Sequence, residues 1–86
     1  MHDLVFDNDA FKEYMEWQNE DRKILKKIND LIIDIQRSGL MKGIGKPEPL
    51  RHLKAYSRRI DDANRLVYSV DEKQNLRIIS CKGHYV

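Results

Sequence analysis

Six residues in the second half of the chain have side chains suited to acid–base and phosphate chemistry. They are a glutamate between two prolines, an arginine pair, a further arginine, and a C-terminal histidine and tyrosine: Glu48, Arg58, Arg59, Arg65, His84 and Tyr85. The prolines fix φ on either side of Glu48, so we expect its carboxylate on a stiff segment. The sequence has no metal-site spacing, phosphate-binding glycine loop or nucleophile elbow, so we expect neither a metal nor a cofactor.

Together these residue types meet the needs of metal-free RNA cleavage. In that reaction a 2′-hydroxyl loses a proton and attacks the adjacent phosphorus, and the 5′-oxygen gains a proton as it leaves. A carboxylate, a guanidinium and an imidazole cover the three tasks. Histidine's ordinary pKa of about 6.5 suits proton donation near neutral pH. Taken singly, the same residues also have ordinary interpretations, namely a solvated loop glutamate, surface arginines and a frayed terminus.

The charges are distributed unevenly along the 86 residues. Residues 1–21 carry one base and seven acids, residues 22–60 carry eleven bases and three acids, and residues 61–86 carry four of each. The basic middle indicates contact with a polyanion, and a solvated helix face is the alternative interpretation.

Size and composition favour one globular domain spanning residues 1–86. Apolar residues make up 41% and charged residues 35% of the chain, which is typical of a folded protein with a charged surface. No apolar run approaches the roughly 18 residues of a membrane span. Met1-His2-Asp3 lacks the features of a signal peptide. Cys81 is alone and lies in an apolar run, so we expect its thiol to be inert packing in a reducing compartment. Together with the lack of a membrane span and of signal-peptide features, this predicts a cytoplasmic protein without membrane contact.

Hydrophobic periodicity predicts helices first and strands afterwards. Leu4 to Phe6 is a short strand, Asp7-Asn8-Asp9 can cap a helix running to about Asn19, and a strongly amphipathic helix ends at Ser38-Gly39. Glycines and prolines predict an irregular loop over 39–49. Strands are predicted over 56–60, 65–70 and 76–81, joined by hairpins.

This order of elements indicates an α+β fold in which two helices cover one face of an antiparallel sheet. Alternation along the strands places Leu66, Tyr68 and Val70 on the core side. The same rule lets Arg59 and Arg65 share the face that the helices leave open.

Six short runs, spread over nearly the whole chain, carry a family resemblance: Trp17-Gln18, Lys26-Lys27-Ile28-Asn29, Gly45-Lys46-Pro47-Glu48-Pro49-Leu50, Ser57-Arg58-Arg59-Ile60, Arg65-Leu66-Val67-Tyr68 and His84-Tyr85. Together they closely resemble the YoeB/Txe toxins of bacterial toxin–antitoxin systems. The resemblance implies a RelE-like fold and cleavage of messenger RNA in the A site of the 70S ribosome. It also implies a tendency to form homodimers and inhibition by a wrapping antitoxin of the YefM type.

The resemblance also implies residue roles. Glu48 would be the general base, His84 the general acid, Arg65 and Arg59 the groups that brace the phosphate, and Tyr85 a residue that orients the substrate or stacks on a base. Four further residues would contact RNA: Lys46, Arg51, His52 and Arg58.

Three features depart from the family pattern. The segment 51–56 is about two residues shorter, Gly83 replaces a large residue before the histidine, and Val86 follows Tyr85 where the family commonly stops. We therefore expect the His84-Tyr85 pair to be mobile in the free protein. Other function classes stay open at this point: a non-catalytic blocker of the A site, a gyrase poison like the ParE toxins that share the fold, or a plain RNA-binding module.

Overall fold

A computed structural model of the protein describes residues 1–83, which form a five-stranded sheet with two helices. The elements are β1 (Leu4–Phe6), α1 (Asn8–Glu20), α2 (Arg22–Ser38), β2 (Glu48–Pro49), β3 (Tyr56–Arg59), β4 (Arg65–Val70) and β5 (Leu76–Ser80). The strand order is β1-β5-β4-β3-β2. The pair β1–β5 is parallel and the other pairs are antiparallel. The α+β prediction is confirmed, and no helix within residues 1–83 is long and apolar enough to cross a membrane.

Helix α2 provides the largest helical contribution to the core. Its buried residues follow the spacing of one helix face: Ile28, Leu31, Ile32 and Ile35. The carboxylate of Asp21 caps the start by accepting from the amides of Lys23 and Ile24 at 3.0 and 3.3 Å. The helix ends as predicted at Gly39, whose φ of 95° is readily adopted only by glycine.

Helix α1 begins after Asp7, but the predicted side-chain cap is wrong for this residue, because its carboxylate makes no capping hydrogen bond. The two oxygens of Asp7 instead accept from the guanidinium of Arg77 on β5, at 2.8 and 2.7 Å. This ion pair ties the junction between β1 and α1 to the sheet.

The two faces of β4 are both buried. Leu66 and Tyr68 face the helices and are fully buried, as predicted, whereas Val70 at the end of the strand is only half-buried. Val67 and Ser69 alternate to the opposite face and are buried too. The centre of the sheet is therefore covered on both sides.

The predicted irregular loop contains a short strand. Glu48 and Pro49 form β2 at the edge of the sheet, where Glu48 lies opposite Ser57 and Pro49 opposite Tyr56. An edge strand tolerates proline because one side of its backbone has no strand partner. The backbone of Glu48 is therefore held by the sheet as well as by the flanking prolines.

Candidate active site

Strand register brings four polar residues to one face of the sheet, opposite the helices. Glu48 lies opposite Ser57, and Arg59 lies opposite Arg65. Residues that oppose each other across a strand pair share a face, as do residues two apart in one strand. Glu48, Ser57, Arg59 and Arg65 thus form one cluster, which we call the sheet-face cluster. The predicted common face of Arg59 and Arg65 is confirmed.

An ion pair joins the two outer strands of this cluster. Glu48 Oε1 lies 3.2 Å from Arg65 Nη1. The side chain of Glu48 is 57% exposed and that of Arg65 is 21% exposed, so the pair faces solvent. Exposed ion pairs contribute little to stability, typically about 0–1 kcal/mol. An incoming phosphate can therefore separate the pair at small cost.

The second guanidinium is held by its own turn. Arg59 is 42% exposed and forms an ion pair with Asp62, which lies between β3 and β4. Like charges directly across a strand pair repel, and the ion pairs with Asp62 and Glu48 offset this repulsion between Arg59 and Arg65. Each of the two guanidiniums is thus paired with a carboxylate of a neighbouring segment.

The same turn holds the end of the described chain. Asn64 Oδ1 accepts from the amide of Gly83 at 2.8 Å, and the amide of Arg65 donates to the carbonyl oxygen of Gly83 at 2.9 Å. Gly83 therefore lies beside the sheet-face cluster. His84 and Tyr85 lie outside the described residues, so their predicted roles and mobility stay predictions.

Helix α1 anchors the segment that precedes Gly83. The indole of Trp17 donates to the carbonyl oxygen of Cys81 at 2.9 Å, and Glu13 accepts from the amide of Cys81 at 2.8 Å. The ammonium of Lys82 contacts Glu20 at 3.0 Å and lies 4.8 Å from the centre of the Trp17 ring. Sequence reasoning did not identify this anchor, because it joins residues more than 60 positions apart.

Arg58 does not belong to the exposed site, and its prediction as an RNA contact requires correction. Its side chain is 0% exposed on the helix side of β3. It donates to Asp34 at 2.5 Å and to the hydroxyl of Tyr68 at 3.0 Å. Its other hydrogen bonds go to three loop carbonyl oxygens, those of Gly39, Lys42 and Ile44. A guanidinium with this many internal partners is unavailable to a ligand.

The buried guanidinium holds the loop that leads to Glu48. Its hydrogen bond and charge lower the pKa of Asp34, together with a hydrogen bond from the amide of Ile44. A Cβ atom at Gly43 would lie 1.8 Å from Asp34 Oδ2, so only glycine fits at this point of the loop. At the loop's end the amide of Arg59 donates to the carbonyl oxygen of Gly45 at 2.7 Å. The loop is thus fixed to β3 directly before Glu48.

The remaining predicted RNA contacts are exposed. Lys46 follows the anchored loop, and Arg51 and His52 lie in the short segment between β2 and β3. A hydrogen bond of 2.9 Å from the amide of Leu50 to the carbonyl oxygen of Ala55 closes that segment at its base. These three side chains are accessible, and their contact with RNA stays a prediction.

Two N-terminal helices on one face of the sheet, with a carboxylate–arginine cluster on the other, form an α+β fold of the RelE-like class, which solved YoeB toxins share. The family model described as "YoeB-like toxin of bacterial type II toxin-antitoxin system" matches residues 6–85. The chain belongs to this family.

Individual relatives agree over nearly the full length. The curated Toxin YoeB of Escherichia coli (strain K12) is 43% identical over 84 residues, covering 95% of this chain and 98% of that protein. A solved YoeB dimer from Staphylococcus aureus is 47% identical with a TM-score of 0.89, covering 96% of this chain and 97% of that one. A heterotetrameric YoeB–YefM complex from the same organism is 46% identical with a TM-score of 0.87 and the same coverage.

Proposed function

We propose that this toxin is an endoribonuclease that cuts messenger RNA in the ribosomal A site by acid–base catalysis. The observation that carries the proposal is the contact between Glu48 and Arg65, with Arg59 opposite Arg65, on the face of the sheet opposite the helices, where Glu48 and Arg59 remain accessible to solvent. The closeness of a carboxylate and two guanidiniums supports their proposed roles as base and phosphate-binding groups.

Each step of the proposed reaction has a named side chain. Glu48 takes the proton of a ribose 2′-hydroxyl, and the 2′-oxygen attacks the adjacent phosphorus. Arg65 and Arg59 stabilise the charge that accumulates on the non-bridging oxygens. The bond from phosphorus to the 5′-oxygen breaks, and His84 gives a proton to that oxygen. The products are a 2′,3′-cyclic phosphate and a free 5′-hydroxyl.

The ribosome is proposed to supply the geometry that the isolated chain lacks. When the ribosome holds the mRNA, the 2′-hydroxyl can be kept in line with the phosphorus and the 5′-oxygen, which lowers the entropic part of the barrier. The exposed Lys46, Arg51 and His52 flank the site and are proposed to contact the RNA backbone. Tyr85 is proposed to orient the base.

Two protein partners are proposed from the relatives. The Staphylococcus aureus relatives include a YoeB dimer and a YoeB–YefM complex. By this likeness we propose a YefM-like antitoxin as the inhibitor of the present chain, and a second copy of the chain as a partner.

A cell-free translation assay read by primer extension tests the proposal. The wild-type chain should give new 5′ ends in the A-site codon, and Glu48→Ala or His84→Ala should lower the cleavage rate about 10²–10⁴-fold. Glu72→Ala, which alters an exposed glutamate in the turn between β4 and β5, is the matched control and should cut at the wild-type rate.

Other outcomes would contradict the proposal in distinct ways. Stalled but intact messages would indicate a blocker that only occupies the A site. A defect in supercoiling with normal translation would indicate gyrase as the target. Full cutting by Glu48→Ala would overturn the assignment of the base.

A further inference from the structure

Ser57 lies at the centre of the sheet-face cluster and has an unusual environment. It is 0% exposed, and among residues 1–83 no group hydrogen-bonds to its hydroxyl oxygen. Its hydroxyl oxygen is the only buried side-chain nitrogen or oxygen atom without a hydrogen-bond partner in the described part of the chain. Buried hydroxyl groups nearly always have a partner, because an unpaired one weakens the fold. A partner that arrives during function would explain this exception.

The neighbour best placed to be that partner is Glu48. The two residues lie directly opposite each other on β2 and β3, on the same face. Side chains opposed in this way have Cβ atoms about 4.5–5.5 Å apart. Rotation about the side-chain bonds of Glu48 therefore suffices to bring its carboxylate to the hydroxyl of Ser57, without movement of either strand.

In the free protein the carboxylate is engaged elsewhere. Glu48 Oε1 contacts Arg65 Nη1 at 3.2 Å. The reaction proposed above gives these two residues different tasks, the base and the phosphate-binding group. When Arg65 turns to a phosphate, the Glu48 carboxylate loses its partner at the moment when its position must be most exact.

We propose that Ser57 is a positioning residue whose hydroxyl donates to the Glu48 carboxylate once Arg65 has turned to the substrate phosphate. This inference rests on the proposed endoribonuclease function. Ser57 touches neither RNA nor the reacting atoms. It acts by fixing one carboxylate oxygen, which leaves the other oxygen directed at the ribose hydroxyl. Within residues 1–83 the hydroxyl has no partner in the free state, because it is the donor that the carboxylate requires only when substrate is bound.

The test compares Ser57→Ala with wild type in three measurements: single-turnover mRNA cleavage on ribosomes, ribosome affinity, and thermal unfolding of the free protein. Cleavage should fall about 10–100-fold, the range expected for one hydrogen bond to a charged group. Ribosome affinity should not change. The Tm should equal or exceed that of wild type, because an unpaired buried hydroxyl has been removed.

Ser69→Ala is the matched control. Ser69 is also a buried serine on the same face of the sheet, but it lies opposite Arg77 on β5 and not opposite Glu48. This variant should cut at the wild-type rate. A second comparison places Ser57→Ala in a Glu48→Gln background, where it should cause no further loss, since Ser57 acts only through the carboxylate.

Each contrary result has a definite meaning. Cleavage by Ser57→Ala within twofold of wild type overturns the inference and leaves the proposed function standing. A lowered Tm overturns it by showing that the hydroxyl already has a partner in the free protein. A further loss in the Glu48→Gln background shows that Ser57 acts independently of Glu48. A wild-type chain that cuts no mRNA overturns the proposed function, and the inference with it.

Discussion

Replacing Arg58 with methionine removes a buried cation while keeping most of the side-chain volume. The guanidinium is fully buried and donates to five oxygens, one of which belongs to the carboxylate of Asp34. Removing one partner from a buried ion pair costs about 3–5 kcal/mol of folding free energy. Asp34 retains 22% exposure and can recover water, so we expect a loss near the lower limit, about 3 kcal/mol.

A loss of this size is readily measured. For a domain of this length, 1 kcal/mol lowers the Tm by about 4–8 °C, so the expected decrease is on the order of 15 °C. Urea unfolding can be followed by the fluorescence of Trp17, the single tryptophan of the chain, which is buried against Cys81. The unfolding midpoint should fall while the slope stays unchanged, because the surface exposed on unfolding is nearly the same.

The adjacent residue provides the control. Arg59→Met removes a guanidinium that is 42% exposed and paired with the exposed Asp62, so the loss of stability should stay below about 1 kcal/mol. Arg58→Lys keeps the charge, but one ammonium cannot reach all five acceptors, and its stability should fall between wild type and Arg58→Met. Equal stability of Arg58→Met and Arg59→Met would refute the structural role given to Arg58.

Two further predictions concern titratable groups outside the site. Burial raises the pKa of the Cys81 thiol to about 12. The thiol should therefore resist a disulfide reagent at pH 8 in the native protein and react at once in urea. Rapid labelling of the native protein would contradict the buried position of this thiol. The pKa of Asp34 is lowered from its ordinary value of 3.8, chiefly by the hydrogen bond from Arg58. Its stabilising contribution is thus complete above that value and is lost as the pH falls through the folded-state pKa. Urea midpoints between pH 6 and 2 should fall further in wild type than in Asp34→Asn, in which other carboxylates with a lowered pKa, such as Asp71, still titrate.

Local patterns were sufficient to predict the regular elements. The spacing of apolar residues in α2 and the glycine after Ser38 predicted where that helix ends, and the β-branched runs predicted β3, β4 and β5. The strand β2 was not predicted, because two residues between prolines have no periodicity. It exists only through pairing with β3, which is a contact between distant parts of the chain.

Only part of the candidate site could be predicted, because several of its contacts also join distant parts of the chain. Alternation along a strand correctly placed Arg59 and Arg65 on one face. The adjacent Arg58 was expected to contact RNA, because nothing local indicated that Asp34 and the loop carbonyl oxygens would satisfy a buried guanidinium on the other face. The importance of the Ser57 hydroxyl could not be predicted, because its lack of a hydrogen-bond partner among residues 1–83 depends on the folded surroundings.

The two faces of strand β3 have different tasks: one stabilises the fold, and the other carries residues of the proposed active site. Arg58 faces the helices and holds the loop over 39–45, which leads through Lys46 and Pro47 to Glu48. Ser57 and Arg59, on either side of Arg58 in the chain, lie on the opposite face together with Glu48 and Arg65. A change that loosens the Arg58 contacts should therefore displace Glu48 before the fold is lost, since the loop has fewer buried contacts than the helices. Arg58→Lys should accordingly lose the proposed mRNA cleavage at temperatures where it is still fully folded, although the side chain at this position is buried away from the proposed site.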